Sequence, residues 1–151
     1  MRAPFEVRRG TFLISTDPDR LDVATIHDFL ARSYWARGIS EERVRRSIEH
    51  SLSFGLYLWE RQIGFARAIS DYATFAYIAD VFVLEKHRGQ GLGAWLAEAI
   101  LQHPDLQGLR RISLMTRDAH GLYRRLGFAA APDPSRYMEI VQPPPADALS
   151  S

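Results

Sequence analysis

The sequence predicts an α/β protein built on one mixed, largely antiparallel β-sheet with flanking helices. Three consecutive segments in the middle of the chain alternate polar and apolar residues with a period of two, which is typical of adjacent antiparallel strands. After them, helical and strand-like segments alternate, which indicates crossover connections and a mixed sheet. With 151 residues, of which 46% are hydrophobic, the chain suits a single domain, expected over residues 1–142.

The first 50 residues predict one strand and two helices. The strand covers 11–15 and ends at the turn-forming triplet 17–19. A helix follows with Asp22 as its N-cap, and a second helix opens at Ser40 with two acidic residues in its first turn. The apolar face of the first helix consists of Val23, Ile26, Phe29 and Leu30.

The remaining residues predict the rest of the sheet and two further helices. The antiparallel strands are expected at 54–59, 62–69 and 74–84, and later strands at 111–115 and 137–141. Helices are expected at 92–101 and at 119–126, the latter closed by Gly127. The proline-led segment 143–151 cannot continue a helix or a ladder, so we expect it to be a flexible tail.

Composition excludes several classes of function. The 19 basic and 18 acidic residues give a net charge of +1, which argues against nucleic-acid binding through an overall basic field. The absence of cysteine excludes disulfides, thiolate zinc sites and cysteine nucleophiles. No apolar run approaches the ~20 residues of a membrane span, so we expect a cytoplasmic protein without membrane contact. The histidine spacing predicts no metal site.

The segment 77–93 carries the strongest functional signal, because an apolar strand passes through a glycine-rich turn into a helix. Such a turn gathers backbone N–H groups at the positive end of a helix, where an anion such as a pyrophosphate can bind. A P-loop would need a lysine after the glycines, and none is present. A dinucleotide fingerprint ending at Ala94 would need preceding βαβ units, whereas antiparallel strands precede this turn.

Two motifs resemble the GNAT superfamily of N-acetyltransferases. Arg88-x-x-Gly91-x-Gly93 is similar to the acetyl-CoA pyrophosphate loop of that family. The segment 119–128, AHGLYRRLGF, is similar to its second signature, and both motifs occur in the family's order and spacing. The resemblance spans about 11–141 and implies a sheet that splays between the fourth and fifth predicted strands, 74–84 and 111–115. Thr116 departs from the pattern, since the family often has asparagine there.

The resemblance implies a set of residues that bind acetyl-CoA. The family holds the pyrophosphate on backbone N–H groups of the glycine loop, and it pairs the pantetheine arm and acetyl carbonyl with backbone groups of the splayed strand. In this sequence the matching positions are Val81, Phe82, Val83, Arg88, Gly89, Gln90, Gly91, Leu92, Gly93 and Ala94.

Two side chains are candidates for catalysis. Tyr123 matches the general-acid tyrosine of the family, and an ordinary tyrosine pKa of about 10 keeps the phenol protonated at pH 7. Asp80 shares a predicted strand face with Ile78 and Phe82, so partial desolvation suits it as a base. The alternative is a structural role, in which Asp80 forms a salt bridge to a nearby arginine or a hydrogen bond to a loop. His120, or water, is another candidate base.

The expected reaction is direct transfer of an acetyl group to a primary amine, because no cysteine can form an acetyl-enzyme. The acceptor is expected to be a small-molecule amine or a peptide N-terminus, near Tyr34, Trp35, Tyr72 and His120. The chain is expected to be a monomer or a homodimer. A non-catalytic CoA-binding module with the same fold is the alternative hypothesis.

Overall fold

A computed structural model describes residues 3–145, which form one six-stranded sheet with four α-helices. The strands lie in the sheet in chain order, all antiparallel except for the parallel pair at one edge. The strands are β1 (Glu6–Arg9), β2 (Phe12–Ser15), β3 (Leu52–Leu58), β4 (Arg61–Ser70), β5 (Phe75–Val83) and β6 (Arg111–Leu114), and the helices are α1 (Val23–Arg32), α2 (Glu41–Glu49), α3 (Leu92–Gln102) and α4 (His120–Arg125). This mixed sheet confirms the predicted fold class.

The helices cover both faces of the sheet. α3 packs with Leu96 and Ile100 against one face, in a core that continues into β3, β4 and β5. α1 and α2 pack on the other face, where Ile26 and Val44 meet aromatic residues of β4 and β5. The predicted cap at Asp22 forms, since its side chain accepts from the Thr25 N–H. The second helix begins after Ser40, as expected, and the Ser40 side chain caps it by accepting from the Arg43 N–H. Within 3–145, no helix is long and apolar enough to cross a membrane.

The sheet opens between β5 and β6. These two strands pair only from Phe75 to Ile78 on β5, so residues 79–83 continue along β4 without β6 beside them. A β-bulge in the β4–β5 ladder lies at the same place, because Phe65 pairs with Phe82 but Arg67 pairs with Ala79. The strands that splay are therefore the fourth and fifth predicted strands, as the resemblance implied.

Two strand predictions were wrong. β1 was missed because its sequence, EVRR, is mostly charged and exposed; it forms by hairpin pairing with β2 through Gly10, whose φ is +58°. The strand predicted at 137–141 does not form, although the segment alternates in polarity. It has no ladder partner within the described chain, and a strand exists only where a neighbouring backbone receives its hydrogen bonds. Its apolar side chains are exposed, up to 90% for Met138.

The proposed tail lies only partly within the described residues. Residues 143–145 are exposed and belong to no helix or strand, and 146–151 lie outside the described residues.

Candidate active site

The glycine loop presents backbone N–H groups at the start of α3. Gly91 is the N-cap in the left-handed conformation, with φ of +76°, and no side chain caps the helix. Gly89 also has a positive φ, +84°, which side chains other than glycine rarely adopt. The first intrahelical bond joins the Trp95 N–H to the Gly91 carbonyl. The donors left without an intrahelical partner are those of Leu92, Gly93 and Ala94.

The surroundings of this loop fit a phosphate group. A Cβ placed on Gly89 or Gly91 would meet no other atom within 4 Å, so the space beside these two glycines is open. Open donors at a positive helix end are what an anion requires, and acetyl-CoA carries a pyrophosphate. The residues present therefore fit the group that the glycine motif implies.

The open edge of β5 leads from this loop toward the bulge. The Leu84 N–H donates to the Ile63 carbonyl of the β4 side at 2.8 Å. Because backbone groups alternate direction along a strand, those of Val83 face away from β4, toward the gap. Val81 belongs to the same stretch of β5 that has no β6 beside it. The Val83 carbonyl accepts a hydrogen bond from Arg88 Nε at 3.0 Å. Arg88 thus connects the glycine loop to the strand.

Asp80 lies in the bulge and is held by two partners. Its φ of +56° is unusual for a residue with a side chain. Oδ1 accepts from Trp35 Nε1 at 2.9 Å, and Oδ2 accepts from Arg67 Nε at 2.6 Å. The ion pair is largely buried, with side-chain exposures of 17% for Arg67 and 10% for Asp80. The salt bridge considered as the alternative from sequence is therefore present.

The face expected for Asp80 from simple alternation was wrong. Ile78 packs in the core beneath α3, whereas Phe82 packs with α1 and α2 on the opposite face. The bulge adds one residue to β5 and reverses the alternation between these two positions. Asp80 consequently lies beside Arg67 and Trp35 on the α1–α2 side.

Tyr123 lies on α4, next to the glycine loop. Leu122 is the nearest neighbour of the position that a Cβ on Gly93 would occupy, at 4.0 Å, so α4 runs beside the start of α3. The Tyr123 ring meets Phe128 edge to face, with centroids 5.7 Å apart. Burial raises the pKa of Tyr123 above its ordinary value of 10.0. The hydroxyl therefore holds its proton at neutral pH.

The four predicted acceptor residues are all exposed, and they do not form one cluster. Trp35 contacts Asp80, and the adjacent Tyr34 ring lies 3.8 Å from the Arg117 guanidinium. His120 is the first residue of α4. Tyr72 precedes β5. Residues 75–79 of that strand, which rises by ~3.3 Å per residue, lie between Tyr72 and the bulge. The structure brings Tyr34 and Trp35 to Asp80 but leaves Tyr72 at the far end.

The comparisons with known proteins agree with this geometry. Residues 23–128 match the model of the Acetyltransferase (GNAT) family, a span that contains the bulge, the glycine loop and α4. The chain belongs to the GNAT family. It is thus an enzyme of the acyltransferase class, and acetyl-CoA is the acyl donor that this family uses.

Individual relatives support the same assignment. A structure from Xanthomonas campestris pv. campestris, described as belonging to the GNAT family, is 50% identical with a TM-score of 0.85, covering 93% of this chain and 97% of that chain. Serotonin N-acetyltransferase 2, chloroplastic, of Oryza sativa subsp. japonica is 33% identical over 143 residues, or 88% of this chain and 69% of that protein. A Clostridium acetobutylicum structure with acetyl-CoA shares the fold, with 13% identity and a TM-score of 0.63 over 86% of this chain and 94% of that chain.

Sequence reasoning missed two residues of this GNAT site. Arg67 is the partner of Asp80, and its signal was present, since a charged residue interrupts the apolar run of β4. Tyr77 is half-buried on β5, and burial together with the charge of Asp80 raises the pKa of its phenol. No sequence pattern marks Tyr77, because an aromatic residue in a strand is ordinary.

Proposed function

We propose that this enzyme transfers an acetyl group directly from acetyl-CoA to a primary amine. The observation that supports the proposal is the convergence of three features at one end of β5. These are the helix start at Gly91 without a side-chain cap, the edge of β5 at Val81 that has no β6 beside it, and the half-buried phenol of Tyr123. Each supplies one requirement of acyl transfer, namely binding, carbonyl polarisation and proton donation.

Binding rests on backbone groups more than on side chains. Acetyl-CoA, when bound, supplies an acyl group activated as a thioester. The N–H groups of residues 89–94 hold its pyrophosphate, and the edge of β5 from Val81 to Val83 aligns its extended arm as an additional strand would be aligned. The Val81 N–H hydrogen-bonds the acyl oxygen, where negative charge develops during attack.

Asp80 is the candidate that accepts the proton of the acceptor amine. Each carboxylate oxygen offers two lone-pair sites, and Trp35 and Arg67 use one on each oxygen. One site on each oxygen is thus available to an ammonium group, directly or through a water molecule. His120, exposed at the start of α4, and water itself are the other candidates for this step.

Tyr123 donates the proton that the departing thiolate requires. In the complete reaction the amine nitrogen bonds to the acyl carbon and the carbon–sulfur bond breaks. An acceptor that binds as an ammonium ion first loses one proton through Asp80 to solvent, because only the neutral amine can attack. During attack a second nitrogen proton passes to the base and the Tyr123 hydroxyl delivers one to sulfur. The base then returns its proton to the tyrosine through solvent, so that the net reaction releases one proton for each ammonium ion acetylated. Burial of the ring keeps the phenol protonated and ready for this role.

The acceptor that we propose is a small-molecule amine or a peptide N-terminus. The rice relative is named for serotonin, which is a primary amine with an aromatic ring. The exposed Tyr34 and Trp35 beside Asp80 offer an aromatic surface next to a carboxylate, and that pair suits the same kind of molecule.

The test is release of free thiol from acetyl-CoA in the presence of a panel of amines that includes aromatic ethylamines, polyamines and peptides. We expect saturable release that depends on one amine class, with the acetylated amine identified by mass spectrometry. Tight acetyl-CoA binding without transfer to any acceptor would instead support a non-catalytic CoA-binding module.

A further inference from the structure

The α1–α2 connection is tied to the end of β5 at two points. Trp35 donates to the carboxylate of Asp80, and its ring lies 6.2 Å from that of Phe29. Phe29 in turn stacks face to face on Phe82, with centroids 4.0 Å apart and planes 7° from parallel. Trp35 thus contacts β5 directly through its hydrogen bond to Asp80, and indirectly through Phe29 of α1, which stacks on Phe82.

The same connection also reaches the far side of the opened sheet. The Tyr34 ring, adjacent to Trp35, lies under the Arg117 guanidinium at 3.8 Å, and Arg117 belongs to the segment between β6 and α4. Tyr34 and Trp35 therefore span the place where β5 and β6 separate. A segment with contacts on both sides of this gap fixes the groups that border it.

Asp80 needs such support because of its backbone. A residue with a side chain at a φ of +56° keeps that conformation only when its surroundings determine it. Arg67 holds one oxygen at 2.6 Å, and its Nη1 also donates to Ser51 Oγ at 3.0 Å, which anchors the guanidinium to the end of α2. Trp35 holds the other oxygen, so the direction of the carboxylate is set from both sides.

We propose that Trp35 and Arg67 are positioning residues for Asp80, and that the indole N–H of Trp35 couples the acceptor-side connection to the strand that binds the acyl group. The inference deepens the proposed function and rests on it for its kinetic consequences. Trp35 acts through Asp80, so removing its N–H misdirects the carboxylate and affects the amine acceptor without affecting acetyl-CoA.

The decisive variant is Trp35→Phe, which keeps an aromatic ring beside Phe29 but removes the indole N–H. We expect kcat to fall about tenfold, as loss of one charge-assisted hydrogen bond implies, while KM for acetyl-CoA stays within about twofold. Trp59→Phe is the matched control, because Trp59 is 72% exposed in the turn between β3 and β4, and it should leave both constants unchanged.

A double-mutant cycle separates positioning from general stability. Asp80→Gly removes the carboxylate and suits the positive φ. If Trp35 and Arg67 act through Asp80, adding Trp35→Phe or Arg67→Lys to Asp80→Gly lowers kcat no further. Additive losses in the double variants, or an equal rise in KM for acetyl-CoA, would overturn the proposal.

A spectroscopic measurement keeps the proposal testable without turnover. The three tryptophans give three indole N–H signals, of which Trp35→Phe identifies one. We expect that signal to exchange with solvent at least tenfold more slowly than the Trp59 signal, and to lose this protection in Asp80→Gly. Rapid exchange in the unmodified protein would overturn the positioning role. Slow exchange in a protein that acetylates no amine would support the hydrogen bond from Trp35 to Asp80 and reject the proposed function.

Discussion

α3 and α4 both border the active site, yet they are held in different ways. α3 has eleven residues, of which six are buried, five of them in the main core. α4 has six residues and none is buried; it depends on contacts such as Leu122 beside Gly93 and the edge-to-face pair of Tyr123 with Phe128. The glycine loop proposed to bind acetyl-CoA thus begins a helix that is packed into the core. The proposed proton donor, Tyr123, is instead on a short helix with no buried residue.

Because of this difference, we expect substitutions in the two helices to have different effects on folding and on catalysis. Changes in α3 should affect folding first, because buried area in the core carries most of the stability. Changes in α4 should affect catalysis with little effect on folding, because a proton donor must be placed within hydrogen-bond reach of its target. Substitutions matched between the two helices can test this distinction.

The largest effect is expected from Tyr123→Phe on α4. Removal of a general acid lowers kcat by about 10³-fold, while KM for acetyl-CoA changes little because the binding groups belong to α3 and β5. Burial raises the pKa of Tyr123 above 10.0, and the acid works in its protonated form, so the kcat of the unmodified enzyme should persist up to at least pH 10.

Steady-state kinetics from pH 6 to 10.5 tests this role. Tyr57→Phe is the matched control, because Tyr57 is buried in β3 away from the site, and its kcat should equal that of the unmodified enzyme. A Tyr123→Phe variant with a normal kcat across this range would show that α4 supplies no acid.

Paired leucine truncations measure the anchorage of the two helices directly. Leu96 of α3 is fully buried, so Leu96→Ala should lower the free energy of unfolding by about 3 kcal/mol. Leu122 of α4 is only half-buried, so Leu122→Ala should cost about 1 kcal/mol or less, yet reduce kcat by loosening Tyr123. Urea unfolding of both variants provides the measurement, and equal losses would contradict the proposed difference in anchorage.

Gly91→Val tests whether the start of α3 binds the donor. A β-branched residue at a φ of +76° must distort the loop, so we expect affinity for acetyl-CoA to fall about 100-fold. Gly10→Val introduces similar strain at a φ of +58° in the turn between β1 and β2 and should leave affinity unchanged. Calorimetric titration compares the two, and equal affinities would remove the glycine loop from the binding site.

The prediction from sequence succeeded where a local pattern determines the structure. The cap at Asp22, the helix start after Ser40, the apolar face of α1 and the glycine turn before α3 each depend on residues close together in the chain. The order of elements from 11 to 126 then followed from these segments, whereas the place where the sheet opens was implied by the resemblance to the GNAT family.

The errors occurred where distant segments decide the outcome. Residues 137–141 alternate like a strand but have no ladder partner within 3–145, and β1 forms with charged residues because β2 supplies a partner. The bulge at Asp80 changes the β4–β5 register by one residue. The polar and apolar pattern of neither strand predicts this change. The pairing of Asp80 with Arg67, 13 positions apart, depends on this register.

The smallest effect is expected in the anchored part of the molecule, at a second buried tyrosine. Tyr57 is 2% exposed, and its hydroxyl has no hydrogen-bond partner among residues 3–145. Replacing it by phenylalanine removes an unsatisfied buried polar group, so Tyr57→Phe should raise the free energy of unfolding by about 1 kcal/mol at pH 7. Loss of stability in this variant would indicate that the hydroxyl has a partner, such as a buried water molecule.

The pH dependence of stability sharpens this last comparison. Burial raises the pKa of Tyr57 in the folded protein well above its ordinary value of 10.0, so the folded state binds this proton more tightly than the unfolded chain does. The stability from the protonated phenol is fully present below about pH 10 and is lost as pH rises above that value. Phenylalanine does not ionise, so urea unfolding of Tyr57→Phe between pH 9 and 11 should show a weaker loss. The remaining loss should come from the other tyrosines whose pKa values are raised, namely Tyr77 and Tyr123 by burial and Tyr137 by its hydrogen bond to Glu139. Tyr123 thus places part of the alkaline sensitivity of the fold at the active site itself.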